Sequence, residues 1–135
     1  MKVLVDADAL VALAKEDDTN HSKAVKIAQR LQKTSLYITP LTIPEAATVL
    51  SYRVSQKAAQ EFLKEARKRK LIEIPLTVSL SCLADEIFLK QSKKGTSWVD
   101  CLNVATLQSN QLDSIFSFDK FYQKFKINTK KILSR

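Results

Sequence analysis

The chain has 135 residues, of which 45% are hydrophobic and 27% charged, and its 22 Lys and Arg residues against 14 Asp and Glu residues give a net charge of +8. This size and balance are typical of one globular domain over residues 1–135 and exclude a disordered chain. The excess of basic charge favours a polyanionic partner, although a basic surface that only keeps the protein soluble is the alternative. Because Gly95 is the only glycine, a glycine-rich phosphate loop is excluded.

Other simple site types are also excluded. No apolar run approaches the ~20 residues of a membrane span, and the first apolar run is broken at Asp6, so we expect a cytoplasmic protein with no membrane partner. Cys82 and Cys101 form no CxxC pair, and we expect both to be buried small side chains. The single histidine, His21, excludes a multi-histidine metal site, and we expect it to have a structural role at a helix start.

Hydrophobic patterning predicts strands and helices that alternate along the chain. The expected strands are 2–6, 35–39, 71–75 and 114–118, with a short edge strand near Ile127. The expected helices are 9–15, 20–33, one that opens at Thr42, 55–70, 79–93 and 98–106. Each gap between strands is long enough for a parallel crossover, so we predict an α/β fold, a three-layer αβα sandwich with a mostly parallel sheet of four to five strands.

Polar residues next to these helices predict how the helices begin and end. We expect Asp8 to be the N-cap of the first helix, and Ser55 and Ser97 to be N-caps of later ones. The segment 42–45 matches a capping box with Pro in the first turn. Gly95 stands where a helix C-terminus favours glycine.

Four acidic residues fall where strands and helices meet. Asp6 ends the first strand, and Glu45 lies in the first turn of the helix after the second strand. Asp100 begins the helix before the fourth strand, and Asp119 follows that strand. Ligands of parallel sheets bind outside the carboxyl ends of the strands, so we expect these side chains to share one edge. Clustered carboxylates need raised pKa values or a counter-charge, and an all-oxygen ligand set selects Mg²⁺ or Mn²⁺ over zinc.

Each acid also has a purely structural alternative. Glu45 could close the capping box, Asp100 could interact with the helix dipole, and Asp119 could be a loop residue or a cap. Asp6 is harder to explain in this way, because a buried apolar strand would not otherwise end in a carboxylate. The coincidence of four acids at one sheet edge favours a metal site over four separate structural roles.

The segments around these acids resemble the four acidic motifs of the PIN domain family, in the same order: VLVDAD (3–8), IPEA (43–46), SWVDCLNVA (97–105) and FSFDKF (116–121). The resemblance implies an Mg²⁺- or Mn²⁺-dependent endoribonuclease similar to the VapC-type toxins of toxin-antitoxin pairs, commonly a homodimer, with RNA as substrate and a protein antitoxin as a further partner. Carried over by position, it makes Asp6, Glu45, Asp100 and Asp119 the catalytic, metal-binding acids. Asp8 stands where the family more often has Ser, Thr or Asn, and it either adds charge to the site or caps the helix.

Two other functions stay open at this stage. A HAD-type phosphatase would use Asp6 as its nucleophile and Asp8 as the acid partner, but no Gly-Asp-rich acidic motif follows later in the chain. A catalytically inactive PIN-like module that binds RNA or protein would keep the acids for structure. In the nuclease reading, the acids hold one or two ions that lower the pKa of a bound water and align it for attack on a phosphodiester.

Overall fold

A parallel four-stranded sheet forms the centre of the computed structural model, which describes residues 1–125. Its strands are β1 (Lys2–Val5), β2 (Ser35–Ile38), β3 (Ile72–Glu73) and β4 (Ser114–Phe116), in the spatial order β3-β2-β1-β4. In register, Leu4 of β1 lies between Tyr37 of β2 and Ile115 of β4. The edge strand predicted near Ile127 lies outside the described residues.

Within residues 1–125, six α-helices and one 3₁₀ helix accompany the strands. They are α1 (Ala7–Ala14), α2 (His21–Arg30), α3 (Thr42–Arg53), α4 (Gln56–Lys68), α5 (Val78–Leu89), α6 (Trp98–Ser109) and the 3₁₀ helix Lys120–Lys124. Among the helices of residues 1–125, none has the length and apolar character needed to cross a bilayer.

Strand β1 is buried on both faces, which explains its continuous apolar sequence. Val3 and Val5 pack on one side with a cluster built from α1, α2, α3 and α4. Leu4 packs on the other side with Leu107 of α6 and with Tyr122 of the 3₁₀ helix. A third cluster joins α5 to α6. The predicted three-layer αβα sandwich is therefore confirmed, and every described strand is parallel to its neighbours.

Two boundaries differ from the prediction in the second half of the chain. Strand β3 has two residues instead of five, because among the described strands it pairs with β2 alone and because Pro75 has no N–H to donate. Helix α5 begins at Val78 with Thr77 as N-cap and ends at Leu89, earlier than the predicted residue 93. Gly95 therefore does not cap α5. It has a φ of +84° in the turn that leads to α6, where the left-handed conformation favours glycine.

The first helix begins two residues earlier than predicted. Asp6, not Asp8, is the N-cap of α1, and its Oδ1 accepts a hydrogen bond from the Ala7 N–H at 2.7 Å. Asp8 lies in the first turn of α1, and its carboxylate bonds outside the helix. The prediction that Asp8 is a cap was therefore wrong, because a contact distant in sequence attracts its side chain.

The predicted capping box is also absent from α3. Leu41 occupies the N-cap position, and the Thr42 Oγ1 accepts a bond from the Thr39 N–H at 3.1 Å, upstream of the helix. The Thr42 N–H, which the Glu45 carboxylate would accept in a capping box, donates to the Thr39 carbonyl instead, and the Glu45 N–H donates to the Leu41 carbonyl. The N-caps predicted at Ser55 and Ser97 are confirmed, since each hydroxyl accepts a hydrogen bond from the helix that follows.

The predictions for the histidine and cysteines had mixed outcomes. The His21 Nδ1 lies 2.7 Å from the Ala12 carbonyl oxygen, so the ring links α2 to α1 and its structural role is confirmed. Cys101 is buried as expected. Cys82 is exposed, so the expectation that it is buried was wrong. It lies on the outer face of α5, whose inner face is formed by Leu80 and Ala84.

Candidate acidic functional site

One pocket of about 240 Å³ collects the acidic residues that the sequence analysis singled out. It opens beyond the carboxyl end of β1, where α1 begins. Its walls include Asp6, Glu45, Asp100 and Asp119, together with Asp8, whose role the sequence left open. Ser97 does not line this pocket.

Different parts of the fold place the acids around this pocket. Asp6 directly follows β1 and caps α1, Glu45 lies in the first turn of α3, and Asp100 lies in the first turn of α6. Asp119 is the N-cap of the 3₁₀ helix, and its Oδ1 accepts a bond from the Phe121 N–H at 2.9 Å. Short local motifs thus fix each acid, and the parallel sheet brings these motifs to one edge.

Asp6 is the most deeply held of these acids, with only 3% of the residue exposed. Besides the Ala7 N–H, its Oδ1 accepts a bond from Asn103 Nδ2 at 3.3 Å. Its Oδ2 accepts bonds from Ser117 Oγ at 2.8 Å and from the Tyr122 hydroxyl at 3.0 Å. Burial raises the pKa of Asp6, although the hydrogen bonds from Ser117, Tyr122 and Ala7 oppose the rise.

The hydroxyl of Tyr122 links two of the acids. It lies 3.0 Å from Asp6 Oδ2 and 3.0 Å from Asp100 Oδ1, and it accepts a bond from Asn103 Nδ2 at 2.9 Å. A tyrosine hydroxyl has one proton, so it can donate to only one of these carboxylates at a time. The other carboxylate needs its own proton or a cation. Burial, followed by the charge of Asp6, raises the pKa of Asp100 to about 7.

Asp8 lines the same pocket, and only one of its two carboxylate oxygens has hydrogen-bond partners within residues 1–125. Its Oδ2 accepts a bond from the Phe118 N–H at 3.0 Å and lies 3.3 Å from Ser117 Oγ. Its Oδ1 is buried and has no hydrogen-bond partner among residues 1–125. Burial, followed by the charge of Asp6, raises the pKa of Asp8 to about 8. Asp8 therefore adds acidic character to the site.

Glu45 completes the acidic wall from α3. It is partly buried, and within the described chain its carboxylate forms no hydrogen bond or ion pair. Burial and then the charge of Asp6 raise the pKa of Glu45. Arg53, at the far end of the same helix, also lines the pocket. The pocket therefore contains several carboxyl groups and little positive charge to balance them.

The chemistry of these donors fits a hard divalent cation. Burial, and after it the charge of neighbouring carboxylates, raises the pKa values of Asp6, Asp8, Glu45 and Asp100, so added positive charge would stabilise the ionised groups. Oxygen ligands alone suit Mg²⁺ or Mn²⁺. Over residues 1–125, no three acidic, His or Cys side chains already form a set that could hold an ion. Binding would thus require the carboxylates to move closer together and to lose protons.

Three uncharged residues of this network were not predicted as site residues. Asn103 has a recognisable signal, since it is the one amide side chain in the stretch Cys101–Leu107 of α6, all of which is buried. Ser117 and Tyr122 had no such signal, because their hydrogen bonds reach Asp6 from more than a hundred residues away. These three side chains orient the acids, and their contacts with the acids are visible only in the folded chain.

This chain thus combines a parallel α/β sheet with a pocket of carboxylate oxygens at the carboxyl edge of that sheet. Proteins of this class have the oxygen ligands that hard cations prefer. The sequence profile of the PIN domain matches residues 3–127, and the chain therefore belongs to the PIN domain family. This is a family of nucleases that generally use divalent metal ions.

Two solved structures have similar folds. The first is VapC20 of Mycobacterium tuberculosis, described as a toxin that cleaves the sarcin-ricin loop. Its TM-score is 0.78 at 19% sequence identity, and the alignment covers 94% of this chain and 98% of that chain. The second is VapBC2 of Rickettsia felis bound to a DNA fragment from its promoter, with a TM-score of 0.70, 13% identity and 96% coverage of each chain. At these identities the similarity concerns the fold. A comparison with curated protein sequences found no match.

Proposed function

We propose that this protein is an Mg²⁺- or Mn²⁺-dependent endoribonuclease of the VapC type, acting as the toxin of a toxin-antitoxin pair. The observation that carries the proposal is the pocket in which Asp6, Glu45, Asp100 and Asp119 meet at the carboxyl edge of the sheet. The net charge of +8 supports it, because a basic protein with one acidic pocket suits a polyanion that reacts at a metal. VapC20, which has a similar fold, is described as a toxin that cleaves the sarcin-ricin loop.

In this proposal the four acids hold the divalent ion and the uncharged network keeps them in place. A bound ion would supply Lewis-acid chemistry, activating water and offsetting charge on the leaving oxygen of the phosphodiester. The Tyr122 hydroxyl links Asp6 to Asp100, and Asn103 donates hydrogen bonds to both Asp6 and this hydroxyl. Ser117 ties Asp6 to the segment that carries Asp119, since its Oγ accepts a bond from the Asp119 N–H at 3.0 Å. No histidine or lysine general base is required.

The proposal includes protein partners and a cytoplasmic location. VapBC2, which has a similar fold, is described as bound to a DNA fragment from its promoter. In this chain, large apolar side chains are exposed on the surface, among them Tyr52 at 87%, Val78 at 82% and Leu89 at 81%. Exposed apolar groups of this kind suit contacts with an antitoxin or with a second copy of the chain. We propose both partners, with residues 1–135 forming one domain.

Cleavage of a labelled RNA in Mg²⁺ or Mn²⁺ tests the proposal. We expect Asp6→Asn and Asp100→Asn to lower the rate by at least ~10²-fold while the circular dichroism spectrum stays that of the folded protein. Glu45→Gln should also lower the rate, whereas Glu61→Gln, a matched change on the exposed face of α4, should not. Cleavage by the Asp variants at the wild-type rate contradicts the proposal. A folded wild-type protein that binds RNA but neither binds Mn²⁺ nor cleaves RNA would instead be a binding module.

A further inference from the structure

Arg53 is the one basic side chain that lines the acidic pocket within residues 1–125. It lies in the last turn of α3, four residues after Val49 and eight after Glu45, and both of these also line the pocket. This spacing places the three side chains along one face of the helix. Arg53 therefore stands at one end of a wall whose other end is acidic.

Arg53 is not neutralised by the acids that share the pocket. It is exposed, and it takes part in none of the ion pairs formed within the described part of the chain. A guanidinium stays charged at any pH that a protein tolerates, and its planar donors match two oxygens of a phosphate. An unpaired arginine at the rim is thus available to bind an anion that enters from solvent.

The position of Arg53 determines which anion it can reach. Eight residues of α-helix correspond to about 12 Å along the axis, so Arg53 is well separated from the metal-binding end of α3 at Glu45. An RNA strand lying across the pocket carries a phosphate at every nucleotide. The phosphate at the acids and the phosphate at Arg53 would therefore be different ones on the same strand.

We propose that Arg53 is a positioning residue that binds an RNA backbone phosphate beside the scissile one and so orients the strand over the acids. This inference depends on the proposed ribonuclease function. The contact is to the backbone, so it contributes affinity and orientation and carries no base specificity. Acidic side chains repel phosphates, which makes one attractive group at the rim especially important for substrate entry.

A simpler role for Arg53 is to complement the dipole at the C-terminal end of α3. Arg30 provides the matched control, because it occupies the last turn of α2, is exposed and does not line the acidic pocket. If Arg53 serves only the helix dipole, Arg53→Ala and Arg30→Ala should affect RNA binding equally. If Arg53 binds a phosphate, only Arg53→Ala should weaken it.

Binding of a fluorescent single-stranded RNA of mixed sequence tests this inference. Binding is measured by anisotropy over a range of salt concentrations without divalent metal. Loss of one phosphate contact should reduce the slope of log K against log salt by about 0.7 for Arg53→Ala. Arg53→Lys should keep the wild-type slope but bind more weakly, because lysine cannot form the paired bonds of the guanidinium. Arg30→Ala should keep both slope and affinity.

Cleavage kinetics and metal binding separate this role from the others. Arg53→Ala should raise KM more than it lowers kcat, and its Mn²⁺ affinity by calorimetry should not fall below that of wild type. Equal RNA affinities and slopes for Arg53→Ala and Arg30→Ala would overturn the inference, as would a loss of Mn²⁺ affinity in Arg53→Ala. If wild type binds RNA with the expected dependence on Arg53 but does not cleave it, the ribonuclease function fails while the phosphate contact at Arg53 stands.

Discussion

The buried carboxyl groups make the stability of the metal-free protein depend on pH in a defined direction. The folded chain raises the pKa of Asp8 to about 8 and that of Asp100 to about 7, from an ordinary value of 3.8. Between pH 5 and 7 the folded chain therefore holds protons that the unfolded chain has released. Because the folded state binds more protons in this window, the free energy of unfolding falls as the pH rises.

One retained proton changes the free energy of unfolding by about 1.4 kcal/mol per pH unit. With one or two such protons, we expect a fall of about 1–3 kcal/mol per unit between pH 5 and 7. Urea denaturation in EDTA at several pH values measures it, provided that the denaturant slope m stays constant. The fall should level off once the pH has passed the raised pKa values of Asp8 and Asp100.

Two comparisons attribute this pH dependence to the pocket. Asp8→Asn removes one of the titrating groups, so its stability should fall less steeply than that of wild type, whereas Glu61→Gln should behave as wild type. Saturating Mn²⁺ should flatten or reverse the trend, because the ion binds the ionised carboxylates and competes with protons. A metal-free wild-type stability that stays constant or rises from pH 5 to 7 would refute this reasoning.

Two further predictions test the network and the packing. Tyr122→Phe removes the hydroxyl that contacts Asp6, Asp100 and Asn103. We expect it to lower the free energy of unfolding, measured by urea denaturation, by about 1–3 kcal/mol. An unchanged denaturation midpoint would contradict the role of this hydroxyl. A thiol reagent added to the native protein should modify the exposed Cys82 quickly and the buried Cys101 only on unfolding. Rapid labelling of both thiols would be inconsistent with the burial of Cys101 in α6.

The layers of the fold were predictable because they depend on local patterns. The run Val3-Leu4-Val5 indicates a strand buried on both faces, and the alternation of strands with helices limits the sheet to parallel crossovers. Helix starts were less predictable where two suitable caps are close together. Asp6 and Asp8 are both good N-cap residues, and the choice depends on the Phe118 N–H, which binds Asp8 from 110 residues away.

The acids of the pocket were predictable from the sequence, whereas the hydroxyl groups that hold them were not. Glu45 and Asp100 each lie in a first helical turn next to a strand, so the topology of a parallel sheet indicates where they meet. Ser117 and Tyr122 act through single hydroxyl groups whose direction depends on tertiary packing. The sequence shows that such residues are present but does not show what they contact.

A crystal soaked in Mn²⁺ and measured for anomalous scattering tests the metal site most directly. We predict a peak in the pocket within coordination distance of carboxylate oxygens from Asp6 and Asp100, with Glu45 or Asp119 completing the protein ligands directly or through water. Well-ordered acids with no peak between them, or an Mn²⁺ ion bound only elsewhere on the chain, would contradict the account.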